Sequence, residues 1–111
     1  MLITDPVREI RMKFAIGQLI HHRIFDYRGV IVGADLVFRL PDEWYEQVAR
    51  TRPPRDQPWY NVLVDGAPQV TYVAERNLEL DRTGEPVEHP FLSQHFDRFE
   101  DGCYSDSRSS N

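Results

Sequence analysis

The chain has 111 residues, 41% of them apolar and 28% charged, and a formal net charge of −5. That length suits one domain with one modest core, and that balance is ordinary for a globular protein. No apolar run approaches the length of a membrane-spanning helix, and the single Cys103 excludes an intrachain disulfide or a cysteine-rich zinc site.

The start, Met1 to Pro6, has no basic region followed by an apolar stretch, so no signal peptide is read and a cytoplasmic protein is expected. Residues 1–12 read as an arm. From Ile16 to Ile24 the pattern alternates, with Ile16, Gln18, Ile20, His22 and Ile24 on the apolar side, which predicts a half-buried strand. Residues 26–29 read as a turn and 29–34 as a second strand. The glycines at both ends of that strand suggest a close backbone approach or a bulge. Residues 41–51 predict a short helix, with Pro41, Asp42 and Glu43 suited to its first turn. Three prolines between Arg52 and Pro58 then impose a stiff extended connection.

The clearest signal follows. Trp59 to Val64 and Gln69 to Glu75 are β-forming runs on either side of Asp65-Gly66, which predicts a hairpin. Residues 77–80 could close the sheet. Phe91, Leu92, His95, Phe96 and Phe99 share one helical stripe and predict one or two helical turns. Such a stripe should pack on the protein's own sheet or on a neighbouring subunit. Residues 105–111 are too polar to form a core and read as a disordered tail. The expected fold is mainly β: a small barrel of about five antiparallel strands, with a short helical insert and a short C-terminal helical segment.

No catalytic set emerges. The sequence lacks a glycine-rich phosphate loop, a nucleophile elbow and a helical zinc motif, so no enzyme, cofactor or metal is expected. His21 and His22 are adjacent in a strand and point to opposite faces, so they do not chelate one metal together. The charge is uneven: residues 1–55 hold nine Lys/Arg against seven Asp/Glu, and residues 56–111 hold four against eleven. Lys13, His21, Arg23 and Arg28 form a local basic set suited to phosphate. Trp59, Tyr60 and Tyr72 are the aromatic candidates for a binding platform. Alternation sends Trp59 and Tyr60 to opposite faces, so one of them belongs to the core; the apolar character of the strand favours Trp59.

Lys13-Phe14-Ala15-Ile16-Gly17-Gln18 with His22, then Tyr27 to Ile31 with Asp35, then Pro58 to Val64, and Tyr72 to Glu75 with Leu78 resemble the HspQ heat-shock family, the YccV-like hemimethylated-DNA-binding domain. The likeness spans about residues 13–80, with 81–104 as an extension. It implies an SH3-like barrel without catalytic activity, binding to hemimethylated DNA, and self-association, with a trimer as the choice. It also implies a heat-stress role as an adaptor through which the Lon protease degrades selected clients, among them the replication initiator.

Two functions follow. A DNA binder would use Lys13, His21, Arg23 and Arg28 on phosphates, with Tyr60 as the aromatic contact. A proteolysis adaptor would present apolar and aromatic surface, for which Trp44, Tyr45, Phe91, Phe96 and Phe99 are the candidates, on an acidic chain.

Overall fold

The computed structural model describes residues 11–109; the arm expected over residues 1–12 lies almost wholly outside the described residues. Five strands form one antiparallel sheet: β1 (Leu19–His22), β2 (Arg28–Asp35), β3 (Trp59–Val64), β4 (Val70–Ala74) and β5 (Leu78–Leu80), in the order β4-β3-β2-β1-β5. A helix, α1 (Asp42–Val48), lies between β2 and β3, and a 3-10 turn (Glu75–Asn77) carries the chain from β4 to β5. A second short helix, α2 (Leu92–His95), leads into a separate hairpin of β6 (Arg98–Glu100) and β7 (Cys103–Ser105). Among the described residues no ladder joins β4 to β5, so the sheet has two edges and hydrogen bonding does not close the expected barrel. No helix among them is long and apolar enough to cross a membrane.

The predicted hairpin is present. Trp59 pairs with Ala74 and Leu63 with Val70, and Gly66 takes the positive φ of +76° that the turn requires. The two glycines of β2 also act as expected. A Cβ on Gly29 would fall 2.5 Å from the Leu63 carbonyl oxygen, and the register shifts between Ile31 and Gly33 as in a bulge.

Four expectations need correction. The strand over 16–24 shrinks to Leu19–His22, and Ile16 and Ile24 are exposed. The turn at 26–29 moves upstream, since Arg28 and Gly29 already pair in β2. Only Leu92–His95 of the 91–99 stripe is helical; Arg98 and Phe99 enter a strand instead, and His95 is exposed. The tail is ordered further than its polarity suggested. Ser105 closes β7, and the 3-10 turn Ser107–Ser109 is tied down where Ser107 donates both its backbone N–H and its hydroxyl to Asp97.

The sheet is covered on both faces. On one side Phe14, Ile20, Ile31, Tyr60, Val62, Val73 and Leu78 form a core. On the other, Leu19, Val30 and Leu63 pack under Val87, Phe96 and Tyr104 of the C-terminal segment. Phe96 is buried and Phe99 half-buried on the chain's own sheet, so the phenylalanine stripe is largely used internally; Phe91 stays exposed. A third cluster joins Trp59 and Ala74 to Phe38, Trp44, Tyr45 and Tyr72 under α1. Each buried large apolar side chain contributes about 1.5–3 kcal/mol.

Candidate nucleic-acid interface

The sequence-predicted basic residues separate in space. His21 and Arg28 are paired across β1 and β2, and both meet carboxylates. His21 Nε2 lies 2.6 Å from Asp26 and Nδ1 2.8 Å from Glu79. Those two hydrogen bonds raise the imidazole pKa above its ordinary value of 6.5. Arg28 donates to Asp65 at 3.0 Å, to Asp81 at 3.1 Å and to the Glu85 carbonyl. The Asp81 bond raises the guanidinium pKa. Burial opposes ionisation of Asp81, yet bonds from Arg28 and Thr83 outweigh it and hold the carboxyl below its usual range. Arg28 therefore straps the loop after β5 to the sheet. Its positive charge is already matched by two carboxylates, and its Nε is buried without a partner.

Tyr60 also departs from expectation. It is fully buried, and its hydroxyl donates to Glu75 at 2.6 Å while accepting the Phe14 N–H at 3.2 Å. Burial, then the bond to Glu75, pushes its pKa up. A base has no access to this ring. Trp59 is buried too, with Nε1 donating to the Pro54 carbonyl at 3.0 Å. Both aromatics thus belong to cores, one under each of two different covers.

Lys13 and Arg23 meet elsewhere, around the 3-10 turn after β4. The backbone N–H of Lys13 donates to Glu75 at 2.9 Å, and the backbone N–H of Arg23 donates to the Asn77 carbonyl at 2.8 Å. Arg76, within the turn, donates to the Thr51 carbonyl at 2.8 Å and brings the loop after α1 alongside. Asn77 adds a bond to the Thr51 hydroxyl. Five exposed cationic residues, Lys13, Arg23, Arg50, Arg52 and Arg76, therefore lie in this turn or on the segments bonded to it. Among the described residues Arg52 is paired with Glu46, while Lys13, Arg23 and Arg50 make no ion pair. Glu75, the acid at the centre, is buried.

Of these five, Arg50 lines a groove of about 480 Å³, together with Thr51, Asn77, Trp44, Tyr72 and Tyr27. The Tyr72 hydroxyl donates to Asp35 at 2.6 Å, which fixes that ring, and the Tyr27 hydroxyl meets Thr71 at 2.7 Å. His22 lines the groove as a neutral imidazole: burial, then the neighbouring His21, lowers its pKa, and Nδ1 accepts the N–H groups of Ile24 and Phe25. Among the described residues no group of three or more His, Cys, Asp or Glu side chains could hold a metal.

A largely apolar groove with a cation, Arg50, in its lining is an arrangement that can take a charged backbone and an apolar substituent together. A family model described as hemimethylated DNA-binding protein, YccV-like, matches residues 12–103. This chain belongs to the YccV-like family. The match takes in the whole five-stranded sheet, α1 and most of the C-terminal hairpin.

Of the remaining sequence candidates, Trp44 and Tyr45 sit half-buried against Phe38 and Trp59. Trp44 also faces the groove, whereas Tyr45 lies under Arg55, 4.1 Å from its ring centroid. Sequence reasoning missed Arg76 and did not join Arg50 to Arg23. These residues are far apart in the chain, and only the turn after β4 brings them to one place.

Proposed function

We propose that this chain binds hemimethylated duplex DNA with the rim around residues 75–77. Lys13, Arg23, Arg50 and Arg76 contact phosphates, and the adjoining apolar end of the groove receives the methyl group carried by one strand. The observation that supports this reading most directly is that the backbones of Lys13 and Arg23 and the side chain of Arg76 are tied to or through the turn at 75–77, whose Asn77 lines an apolar groove together with Arg50. His21 and Arg28 contribute little to phosphate binding, because carboxylates already compensate them.

The test is fluorescence anisotropy with unmethylated, hemimethylated and fully methylated duplexes of one sequence over a series of salt concentrations. Hemimethylated duplex is expected to bind tightest. Arg23→Ala and Arg50→Ala should each flatten the slope of log affinity against log salt by about 0.9. Equal affinity for all three duplexes, with slopes unmoved by either substitution, would overturn the reading.

A second reading, the Lon adaptor that acts in heat stress on clients such as the replication initiator, is favoured by the net charge of −5 and by the exposed Phe25 and Phe91. It predicts that the purified chain accelerates degradation of the initiator by Lon in a reconstituted reaction without DNA. Self-association, as a trimer, belongs to this reading as well.

A further inference from the structure

The groove runs along the free edge of β4. All five residues of that strand, Val70 to Ala74, line it, so side chains from both faces of the strand and the edge between them share one opening. The register fixes which backbone groups point outward. Val64 N–H bonds to the Gln69 carbonyl and Glu75 N–H to the Pro58 carbonyl, so the positions that bond to β3 are 69, 71, 73 and 75. The N–H and C=O groups of Val70, Tyr72 and Ala74 therefore point away from β3, and among the described residues no backbone group pairs with them; Val70 and Tyr72 form the open part of this edge, whereas Ala74 is buried.

Such an edge presents donors and acceptors in alternation. A phosphate backbone only accepts and leaves the carbonyls unmet, whereas an extended polypeptide satisfies both. The walls agree. Phe25, Leu40, Val48 and Val70 are exposed large apolar residues that all line this groove. Among the described residues Arg50 is its only charged lining residue, and none of them that line it is an acid. We propose that β4 takes an extra antiparallel or parallel strand from another polypeptide, an extended segment with apolar side chains at alternate positions and an Asp or Glu opposite Arg50. This inference stands on the edge geometry and does not require DNA binding.

The test pans a short random-peptide phage library on the full chain, resynthesises the enriched sequences, and measures them by anisotropy and by amide hydrogen exchange. Enrichment of alternating apolar peptides carrying an acid is expected, with slowed exchange at Val70 and Tyr72. Val70→Pro removes an outward N–H without touching the β3 ladder and should weaken binding by at least about tenfold. Arg50→Glu should weaken binding similarly, and it keeps the test valid if the proline variant misfolds. Three results overturn the proposal: no peptide whose binding protects these amides; protection of the same amides by hemimethylated duplex alone; or concentration-dependent self-association lost in Val70→Pro, which would make a second copy the occupant. Peptide affinity measured on Arg23→Ala, and DNA affinity on Val70→Pro, separate failure here from failure of the DNA reading.

Discussion

The Tyr60 hydroxyl reaches Glu75 at 2.6 Å inside the core, and the same carboxylate accepts the N–H of Lys13. One buried acid thus ties the middle of the sheet to the turn that carries the basic rim. Tyr60→Phe removes a donor from Glu75 and should cost about 1–3 kcal/mol of stability. DNA affinity, measured under conditions where the variant is folded, should be unchanged. A lower affinity with an unmoved urea midpoint would return Tyr60 to the binding surface.

Arg28 and Arg23 should behave differently although both looked like phosphate ligands. Arg28→Ala strands Asp65 and Asp81 and should destabilise by roughly 1.5–3 kcal/mol, with little change in the salt dependence of DNA binding. A shallower salt slope in Arg28→Ala at undiminished stability would contradict the strap assigned to it.

The neighbouring histidines should titrate on opposite sides of 6.5. His21 is raised by Asp26 and Glu79, so its contribution is complete below 6.5 and is lost as pH rises through its folded pKa. His22 is lowered by burial, so its contribution holds above 6.5 and is lost as pH falls. Histidine NMR shifts followed against pH check the order, and His21→Asn should remove the loss on the alkaline side. Finding His22 with the higher pKa would refute the assignment.

Gly17 holds the C-terminal cover to the sheet. Its φ is +94°, its carbonyl accepts the Tyr104 N–H at 2.8 Å, and a Cβ there would lie 2.0 Å from the Tyr104 oxygen. Gly17→Ala should loosen residues 98–105, seen as faster amide exchange in that hairpin, while the β3–β4 ladder stays protected. Uniform exchange across both regions would show that the cover is not clasped at this point.

Phe96→Ala should cost about 3–5 kcal/mol through lost packing against Tyr104 and the sheet. Thermal melts measure that cost, and sedimentation on the same variant tests assembly separately. A full-stability variant that dissociates would make Phe96 a subunit contact.

The hairpin at 59–75 was legible because local chemistry specifies it: Gly66 supplies the turn, and β-branched residues flank it. The bulge in β2 was marked by Gly33 in the same way. The role of Tyr60 was not legible, because alternation reports that two faces differ and not that each has its own cover. Here it divides two cores, since residues more than twenty positions further on cover the second face. The basic rim was half legible. Lys13 and Arg23 were chosen, but their partners Arg50 and Arg76 depend on tertiary contacts at Thr51 and Asn77 that no periodicity reports.

The order of the chain has a bearing on how this sheet comes into being. All five strands are complete by Leu80, whereas the side chains that shield Leu19, Val30 and Leu63 come from Val87, Phe96 and Tyr104. During synthesis from the N-terminus, a nascent sheet can therefore assemble while one greasy side is still bare. A ribosome that stalls between those points would hold out an adhesive intermediate, and chaperone capture of that intermediate should end once Tyr104 emerges and clasps Gly17.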